Sequence, residues 1–325
     1  MTASTEAVAD ERAASAQRVP DFFIVGHPKS GTTALYEMLR AHPQVFMPEL
    51  KETRFFAREL HPRSEQAGRY PDTLERYLAL FSTAGPQQRA GEASPSYLRS
   101  REAAARIAEL NPQARIIALF REPSRFLASL HLELVQDNVE SEKDLRRALE
   151  LEPERSQADR LREAPGLVYS SYVAYGEQLR RYHAAFPSEQ ILVLVYDDYL
   201  ADNESTVRQV LDFIGVDGSL PVERRKANPS VRVRSLRANA LVRSLYLGEG
   251  RLARAIKAPI KALTPQRLRR DALGQLQSRV LYGAPKEPDG ELMAELRRRF
   301  KPEVVALGEE LKRDLVRLWG YEDVA

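Results

Sequence analysis

The chain has 325 residues, of which 43% are hydrophobic, and 49 basic and 46 acidic side chains give a formal net charge of +3. The hydrophobic fraction excludes a disordered chain, and the near balance of charge argues against a protein that coats nucleic acid. There are no cysteines, which excludes disulfides, thiolate zinc sites and a cysteine nucleophile, and the five histidines show no metal-ligand spacing.

Residues 1–20 predict a disordered lead-in, because residues 1–19 are small, polar and charged and lack the apolar segment of a signal peptide. No apolar run approaches the ~20 residues of a membrane span, so we expect a soluble cytoplasmic protein. Residues 21–325 predict a single domain whose C-terminal part, 236–325, is mostly helical. The Ala- and Arg-rich composition favours a bacterial source, and whether the protein forms a homo-oligomer stays open.

Short apolar runs predict strands, and amphipathic segments between them predict helices. The predicted strands are Phe22–Gly26, Arg89–Ala93, Ala114–Phe120 and Ile191–Tyr196. The predicted helices are Thr33–Ala41, Thr73–Phe81, Arg101–Leu110, Pro123–Val135, Tyr172–Phe186 and Glu204–Ile214. This alternation predicts an α/β fold with a parallel sheet that helices cover on both faces. A basic loop (224–237), an Arg-rich helical stretch (238–280) and a charged amphipathic helical region (291–319) follow.

The strand Phe22–Gly26 leads into a loop with the sequence His27-Pro28-Lys29-Ser30-Gly31 and then into a helix. Backbone N–H groups at such a loop bind phosphate. In a Walker A loop the lysine comes directly after the second glycine. This chain has Thr32 at that position, and its lysine, Lys29, comes before Gly31. An enzyme that uses a magnesium nucleotide needs a hydroxyl and an acidic side chain to hold the metal. A sulfuryl donor carries less charge on the transferred group, so protein cations and backbone amides can hold it without a metal. The alternative is a tight turn with an incidental lysine.

A second motif follows the strand Ala114–Phe120, which ends in Arg121-Glu122-Pro123, with Ser129 eight residues after the arginine. A guanidinium group at the carboxyl end of a parallel strand faces the ligand crevice. A hydroxyl two helical turns later can face the same anion. The pair therefore suits a second phosphate, distant from the first. The alternative is an ion pair at the start of the helix.

The sequences FFIVGHPKSGTTAL and REPSRFLAS resemble the two nucleotide motifs of sulfotransferases that use 3′-phosphoadenosine 5′-phosphosulfate (PAPS). The resemblance covers residues 21–215 and is closest to the carbohydrate type, which includes the heparan sulfate enzymes and bacterial relatives. It implies a P-loop-type sheet, PAPS as co-substrate with PAP as product, and no metal. It also implies site roles: Lys29 on the leaving oxygen, Ser30, Gly31, Thr32 and Thr33 on the 5′-phosphate, and Arg121 with Ser129 on the 3′-phosphate.

The segment Glu52-Thr53-Arg54-Phe55-Phe56 resembles the Glu-x-His-Phe-Phe pattern of the carbohydrate branch, with Arg54 in place of the histidine. The resemblance implies that Glu52 is the base that takes the acceptor proton. A surface glutamate paired with Lys51 or Arg54 is the alternative. His131 is a rival base or a packed helix histidine, and His27 a rival base or a residue that shapes the loop.

Other segments also match the family. Gly91–Tyr97 resembles its Glu-Lys-Ser-Pro-x-Tyr stretch, which lines the acceptor cleft, but Ala93 replaces the lysine. One cation near the transferred group is therefore either missing or supplied elsewhere, for instance by Lys51. Tyr172 either approaches the adenine or packs in the core, and the loop 224–237 either covers the 3′-phosphate or is a solvated charged face. Tyr196-Asp197-Asp198 resembles a Walker B aspartate, but the family implies a structural role and no metal there.

Two other functions stay open at this level. A P-loop kinase or NTPase is one, and a nucleotide-binding scaffold without catalysis is the other. The acceptor also stays open, since a sugar, lipid, phenol or natural product would each supply a hydroxyl and no segment has a decodable signature for one of them.

Overall fold

A computed structural model of the protein describes residues 18–60, 70–160, 166–220, 232–233, 282–283 and 289–324. In these ranges, five strands form one sheet in the order β2-β3-β1-β4-β5, and every neighbouring pair is parallel. A separate antiparallel pair, β6 and β7, comes from the C-terminal part. The strands are β1 (Phe22–Gly26), β2 (Val45–Phe46), β3 (Arg89–Ala93), β4 (Arg115–Phe120), β5 (Ile191–Val195), β6 (Arg232–Val233) and β7 (Tyr282–Gly283).

Helices connect these strands. They are α1 (Thr32–Arg40), α2 (Leu74–Ala79), α3 (Ala103–Leu110), α4 (Pro123–Gln136), α5 (Leu145–Glu150), α6 (Glu152–Arg160), α7 (Ser170–Val173), α8 (Tyr175–Ala185), α9 (Tyr196–Ala201), α10 (Asn203–Ile214), α11 (Gly290–Leu311) and α12 (Leu315–Leu318). The helix predicted over 172–186 is instead two helices, because Ala174 leaves helical geometry with ψ of 59°. The charged region 291–319 is confirmed as helical.

The sheet is buried on both faces, as the sequence predicts. Successive side chains of a strand point to opposite faces, and those of β1 divide between two hydrophobic clusters. Phe23 and Val25 pack with α3, α4, α8 and α11, whereas Phe22 and Ile24 pack with α1 and α10. The predicted fold class, a P-loop-type parallel sheet with helices on both faces and a mostly helical C-terminal region, is therefore confirmed.

The neighbouring strands β1 and β4 define the ligand crevice. From β1 the chain continues through α1 toward β2 at one edge of the sheet, and from β4 it continues through α4 toward β5 at the other edge. Adjacent parallel strands whose connections run in opposite directions leave a crevice at their carboxyl ends, where α/β proteins bind ligands. Both predicted motifs begin at this crevice.

The two aspartates after β5 attach the C-terminal helices to the sheet. Trp319 donates a hydrogen bond from its indole nitrogen to Asp197, at 2.9 Å. Arg313 pairs with the Asp198 carboxylate through both of its terminal nitrogens. The structural role predicted for the Tyr196-Asp197-Asp198 segment agrees with these contacts.

Some predicted segments lie outside the described residues. These are most of the lead-in, the stretch 238–280 and most of the basic loop 224–237, of which only β6 is described. The backbone of β6 runs beside α4. In the parts of the chain that the structure describes, no helix combines the length and the apolar composition needed to cross a membrane.

Candidate functional site

The loop between β1 and α1 turns at two residues with left-handed backbone angles. Lys29 has φ of 57° and Gly31 has φ of 86°. A positive φ costs free energy for lysine and tends to occur at functional sites, whereas glycine adopts it readily. The two turns bring the chain from the end of β1 directly into the first turn of α1.

The amino end of α1 is suited to bind an anion. In the described structure no side chain caps this end, and its first turn holds no acidic residue. The first N–H groups of a helix need hydrogen-bond acceptors and carry partial positive charge. Among the predicted loop residues, Ser30 and Thr32 are buried and Thr33 is exposed. The loop therefore has the geometry of a phosphate site at its backbone.

Replacing Gly31 with alanine is expected to destabilise the fold by about 2 kcal/mol or more, because the φ alone costs about 1–2 kcal/mol for an L-residue and overpacking adds to it. A Cβ at this position would lie 2.9 Å from the Tyr199 ring. Gly320→Ala is the matched control, since its φ is 69° and nothing lies within 4 Å of its Cβ position. Urea unfolding of both variants measures the difference, and equal losses would show that the contact with Tyr199 has no cost.

Arg121, at the end of β4, reaches across the crevice to the phosphate loop. Its Nη1 donates to the Lys29 carbonyl at 2.9 Å, and its guanidinium lies 4.8 Å from the centre of the Tyr196 ring. Burial lowers the pKa of Arg121 from its usual value, but an arginine keeps its charge at neutral pH. The loop and the arginine therefore belong to one site.

Glu122 does not form the ion pair with Arg121 that the sequence offered as an alternative. Its carboxylate caps α4 instead, accepting from the backbone N–H groups of Ser124 at 3.0 Å and Arg125 at 2.8 Å. Tyr321 also donates to it. Because Glu122 is occupied in this way, Arg121 is directed toward the loop.

Ser129 lies within α4 and is only 6% exposed. The sequence prediction grouped it with Arg121 at a phosphate distant from the loop. In the structure the Arg121 guanidinium contacts the loop backbone at the Lys29 carbonyl, and the shared phosphate of Arg121 and Ser129 stays a prediction.

The ammonium group of Lys29 faces a carboxylate that sequence reasoning missed. Lys29 Nζ lies 3.5 Å from Glu133 Oε1, and the two side chains are 19% and 37% exposed. Burial raises the pKa of Glu133, Lys29 opposes that shift, and the negative charges of Asp137 and Glu52 add to it. Glu133 is therefore part of the candidate site.

Glu52 lies between two cations. Its Oε1 is 3.3 Å from Lys51 Nζ, and its Oε2 is 3.7 Å from Arg54 Nε. The surface pairing that the sequence offered as an alternative therefore exists. It does not remove Glu52 from the site, because the charge of Glu52 acts on Glu133 and its side chain is 32% exposed.

A buried carboxylate holds the segment that carries Glu52. Glu92 is 1% exposed and accepts hydrogen bonds from hydroxyl groups only. Its four donors are Thr53 at 2.8 Å, Ser94 at 2.6 Å, Tyr77 at 2.8 Å and Tyr97 at 3.1 Å. Ser94 Oγ also accepts from the Arg54 N–H at 3.1 Å, and burial raises the pKa of Glu92. The Gly91–Tyr97 stretch thus holds the Thr53 side chain and the backbone of Arg54.

His27 is a buried packing residue. Its Nε2 lies 2.8 Å from the Gln178 Oε1, and its ring packs against Phe120, Phe126 and Tyr175. Burial lowers its pKa to about 3, so its ring is neutral at physiological pH. These contacts agree with the loop-shaping role that the sequence suggested.

His131, the rival base, is also enclosed. Its Nδ1 lies 2.9 Å from the Tyr169 hydroxyl and its Nε2 lies 3.1 Å from the Lys143 carbonyl. The side chain is 3% exposed, and burial lowers its pKa. Because both ring nitrogens have protein partners, the contacts favour the packing role over that of a base.

Tyr172 packs in the core, as one of its two predicted roles requires. It is 8% exposed, its hydroxyl donates to the Gly166 carbonyl at 3.2 Å, and Arg99 lies over its ring at 4.3 Å.

Ala93, which replaces the family lysine, is buried at the end of β3. Lys51 is one of the two cations next to Glu52 in the described structure.

The fold places a loop with the geometry of a phosphate site at the crevice between β1 and β4, and comparison with known proteins identifies the family of the chain. The model of the sulfotransferase family matches residues 20–219, so the chain belongs to that family. It is 29% identical over 211 residues to heparan sulfate glucosamine 3-O-sulfotransferase 3B1 of Mus musculus, covering 62% of this chain and 48% of that protein. It is 26% identical over 251 residues to carbohydrate sulfotransferase 15 of Mus musculus, covering 61% and 44%.

The chain spans about half the length of these curated relatives. A solved sulfotransferase structure from Alicyclobacillus acidocaldarius matches 93% of this chain and 99% of its own chain, with a TM-score of 0.65 and 23% identity. That likeness shows a shared fold and includes the C-terminal region.

Proposed function

We propose that the protein transfers a sulfuryl group from PAPS to a hydroxyl of a carbohydrate, lipid or other small-molecule acceptor. The observation that carries this proposal is the position of Lys29, before Gly31 in the loop, next to an uncapped helix end and in contact with Arg121. Membership of the sulfotransferase family supports it, and so do relatives that are named for sulfation of heparan sulfate and carbohydrate.

The donor would bind with its 5′-phosphosulfate on the loop. The amides and hydroxyls from Ser30 to Thr33 would hold the 5′-phosphate, and Lys29 would neutralise the negative charge that develops on the leaving oxygen. Arg121 and Ser129 would hold the 3′-phosphate. The adjacency of Arg121 and the loop supports one continuous site for a nucleotide with two phosphate groups.

Glu52 would take the proton from the acceptor hydroxyl as its oxygen attacks sulfur. A general base needs a carboxylate within hydrogen-bond reach of that hydroxyl. The partial exposure of Glu52 and its electrostatic link to Glu133, which pairs with Lys29, support a position on the acceptor side of the loop. The two enclosed histidines leave Glu52 as the favoured base.

The test is thermal unfolding of the protein with PAP and with Mg-ATP. PAP should raise the unfolding temperature without added magnesium, by an amount that grows with the ratio of the PAP concentration to its dissociation constant. A kinase or NTPase would instead be stabilised by Mg-ATP alone. Transfer of labelled sulfate from PAPS to pooled acceptors then separates an enzyme from a nucleotide-binding scaffold, and stabilisation by Mg-ATP alone would refute the proposal.

Arg121→Ala is expected to weaken PAP binding by roughly tenfold or more, because it removes a charge-assisted contact with phosphate. The effect should appear in the KM for PAPS more than in kcat, since the 3′-phosphate is remote from the transferred group. Arg125→Ala, one turn later on the exposed side of α4, is the matched control. An unchanged dissociation constant for PAP in the Arg121 variant would contradict the assignment.

A further inference from the structure

The ion pair between Lys29 and Glu133 joins the phosphate loop to α4. Three charged groups of the described structure influence the pKa of Glu133. They are Lys29 on the loop, Glu52 on the segment proposed to face the acceptor, and Asp137, four residues after Glu133. Lys29 is the only cation among them. The cation paired with Glu133 is therefore the same ammonium group that the donor would need.

A donor that binds at the loop changes this balance. The 5′-phosphosulfate brings negative charge to Lys29, and like charges placed side by side cost binding free energy. The Glu133 carboxylate would then face the negative charge of the donor at the same ammonium group. Because Glu133 is 37% exposed, its side chain has room to leave Lys29 by rotation.

We propose that Glu133 occupies Lys29 in the donor-free protein as a substitute for the donor anion, and that PAPS displaces it on binding. Glu133 is then a positioning residue that acts through Lys29 and sets the affinity for the donor. This inference rests on the proposed function, because it assumes that PAPS binds at the loop.

Displacement has a consequence for pH. A carboxylate left beside the donor becomes easier to protonate, so donor binding is accompanied by proton uptake, and affinity rises as the pH falls. Burial, Asp137 and Glu52 already raise the pKa of Glu133 before the donor binds. Glutamine at this position has no proton to take up and carries no charge, so both the repulsion and its pH dependence should disappear.

The experiment measures the dissociation constant of PAP by titration calorimetry at pH 5.5 and pH 8 for the wild-type protein and for Glu133→Gln. We expect the variant to bind PAP roughly tenfold more tightly at pH 8, and this ratio to shrink at pH 5.5. The phosphates of PAP titrate in the same range, but they do so identically in both proteins, so the ratio cancels them.

Asp137→Asn is the matched control, because it removes one negative charge from the same end of α4 without touching Lys29. It should leave the affinity within about twofold of wild type, since an exposed charge at a longer distance is screened. The kinetic counterpart is a lower KM for PAPS in Glu133→Gln, with kcat within a few-fold of wild type.

The outcomes separate this inference from the proposed function. If the wild-type protein binds no PAP, the proposed function itself fails. If the wild-type protein binds PAP but Glu133→Gln binds it equally or less tightly, only the displacement of Glu133 by the donor is refuted. The same holds if Asp137→Asn tightens PAP binding as much as Glu133→Gln does. A loss of 10² or more in kcat for Glu133→Gln would also refute it, because Glu133 would then act in the chemical step.

Discussion

Replacing Lys29 with alanine is expected to lower sulfuryl-transfer turnover by roughly 10² or more, the size typical of losing one charge-stabilising group in a transition state. Negative charge develops on the phosphate oxygen as the sulfuryl group leaves. A cation ~4 Å away from that oxygen is worth about 4 kcal/mol at an effective dielectric near 20, before desolvation. The measurement is kcat for transfer from PAPS to an acceptor that the wild-type protein sulfates.

Lys51→Ala is the control for this prediction. Lys51 is 15% exposed and lies at 3.3 Å from Glu52, whereas Lys29 is on the loop itself. Removing Lys51 should affect the acceptor side and cost less turnover than removing Lys29. If Lys29→Ala kept the wild-type rate, the loop would not be the sulfuryl-donor site, and if Lys51→Ala had the larger effect, Lys51 would be the cation of the transition state.

The central strands β1 and β4 could be predicted from sequence because they are buried on both faces. Such strands are continuous apolar runs, and the runs at β1 and β4 end at the two motifs. The strand β2 escaped prediction because two residues are too few for any pattern. The helix α6 was not predicted because it is almost entirely polar, with no apolar periodicity to indicate a buried face. The short helix α5 next to it was not predicted either.

The candidate site could be predicted only where its residues are contiguous in sequence. The loop around Lys29 and the motif that begins at Arg121 are each a short run, and the structure joins the two runs through the contact of Arg121 with the Lys29 carbonyl. Glu133 pairs with Lys29 across 104 positions, and this contact depends on how α4 is rotated against the loop. A signal was available, since Glu133 lies four residues after Ser129 and therefore about one helical turn further along.

The role of Glu92 could not be predicted from the sequence, for a different reason. A glutamate followed by Ala93 and Ser94 gives no sign that four hydroxyl groups will surround it, because its donors come from three separate segments. The structure shows that this carboxylate has hydroxyl partners where buried charges more commonly have cations. Its contact with Thr53 connects β3 to the residue next to Glu52.

This connection matters for the base. Glu52 itself is partly exposed and paired with two cations, so its own contacts do not fix it firmly. The following residue, Thr53, is 1% exposed and bound to both Glu92 and Tyr97. Thr53 fixes the position of the Glu52 backbone, and the ion pairs with Lys51 and Arg54 limit the positions that the Glu52 carboxylate can take. A general base needs such positioning within hydrogen-bond reach of the acceptor.

Replacing Glu52 with glutamine is therefore expected to remove most turnover, by roughly 10²- to 10⁴-fold, the usual contribution of a general base. Glutamine keeps the shape of the side chain but accepts no proton at neutral pH. The dissociation constant of PAP should stay close to wild type, because the proposed role of Glu52 is toward the acceptor and not toward the donor. Measuring kcat and PAP binding on the same preparation separates the loss of the base from the loss of the donor site.

His131→Gln is the matched control for the rival base. Its two ring nitrogens are occupied by Tyr169 and Lys143, so the variant should lose stability rather than turnover. Glu133→Gln completes the set, since it removes the other carboxylate near Lys29. Full activity in Glu52→Gln together with loss of activity in the His131 variant would assign the base to the histidine. Loss only in Glu133→Gln would assign it to α4, and either result would overturn the role proposed for Glu52.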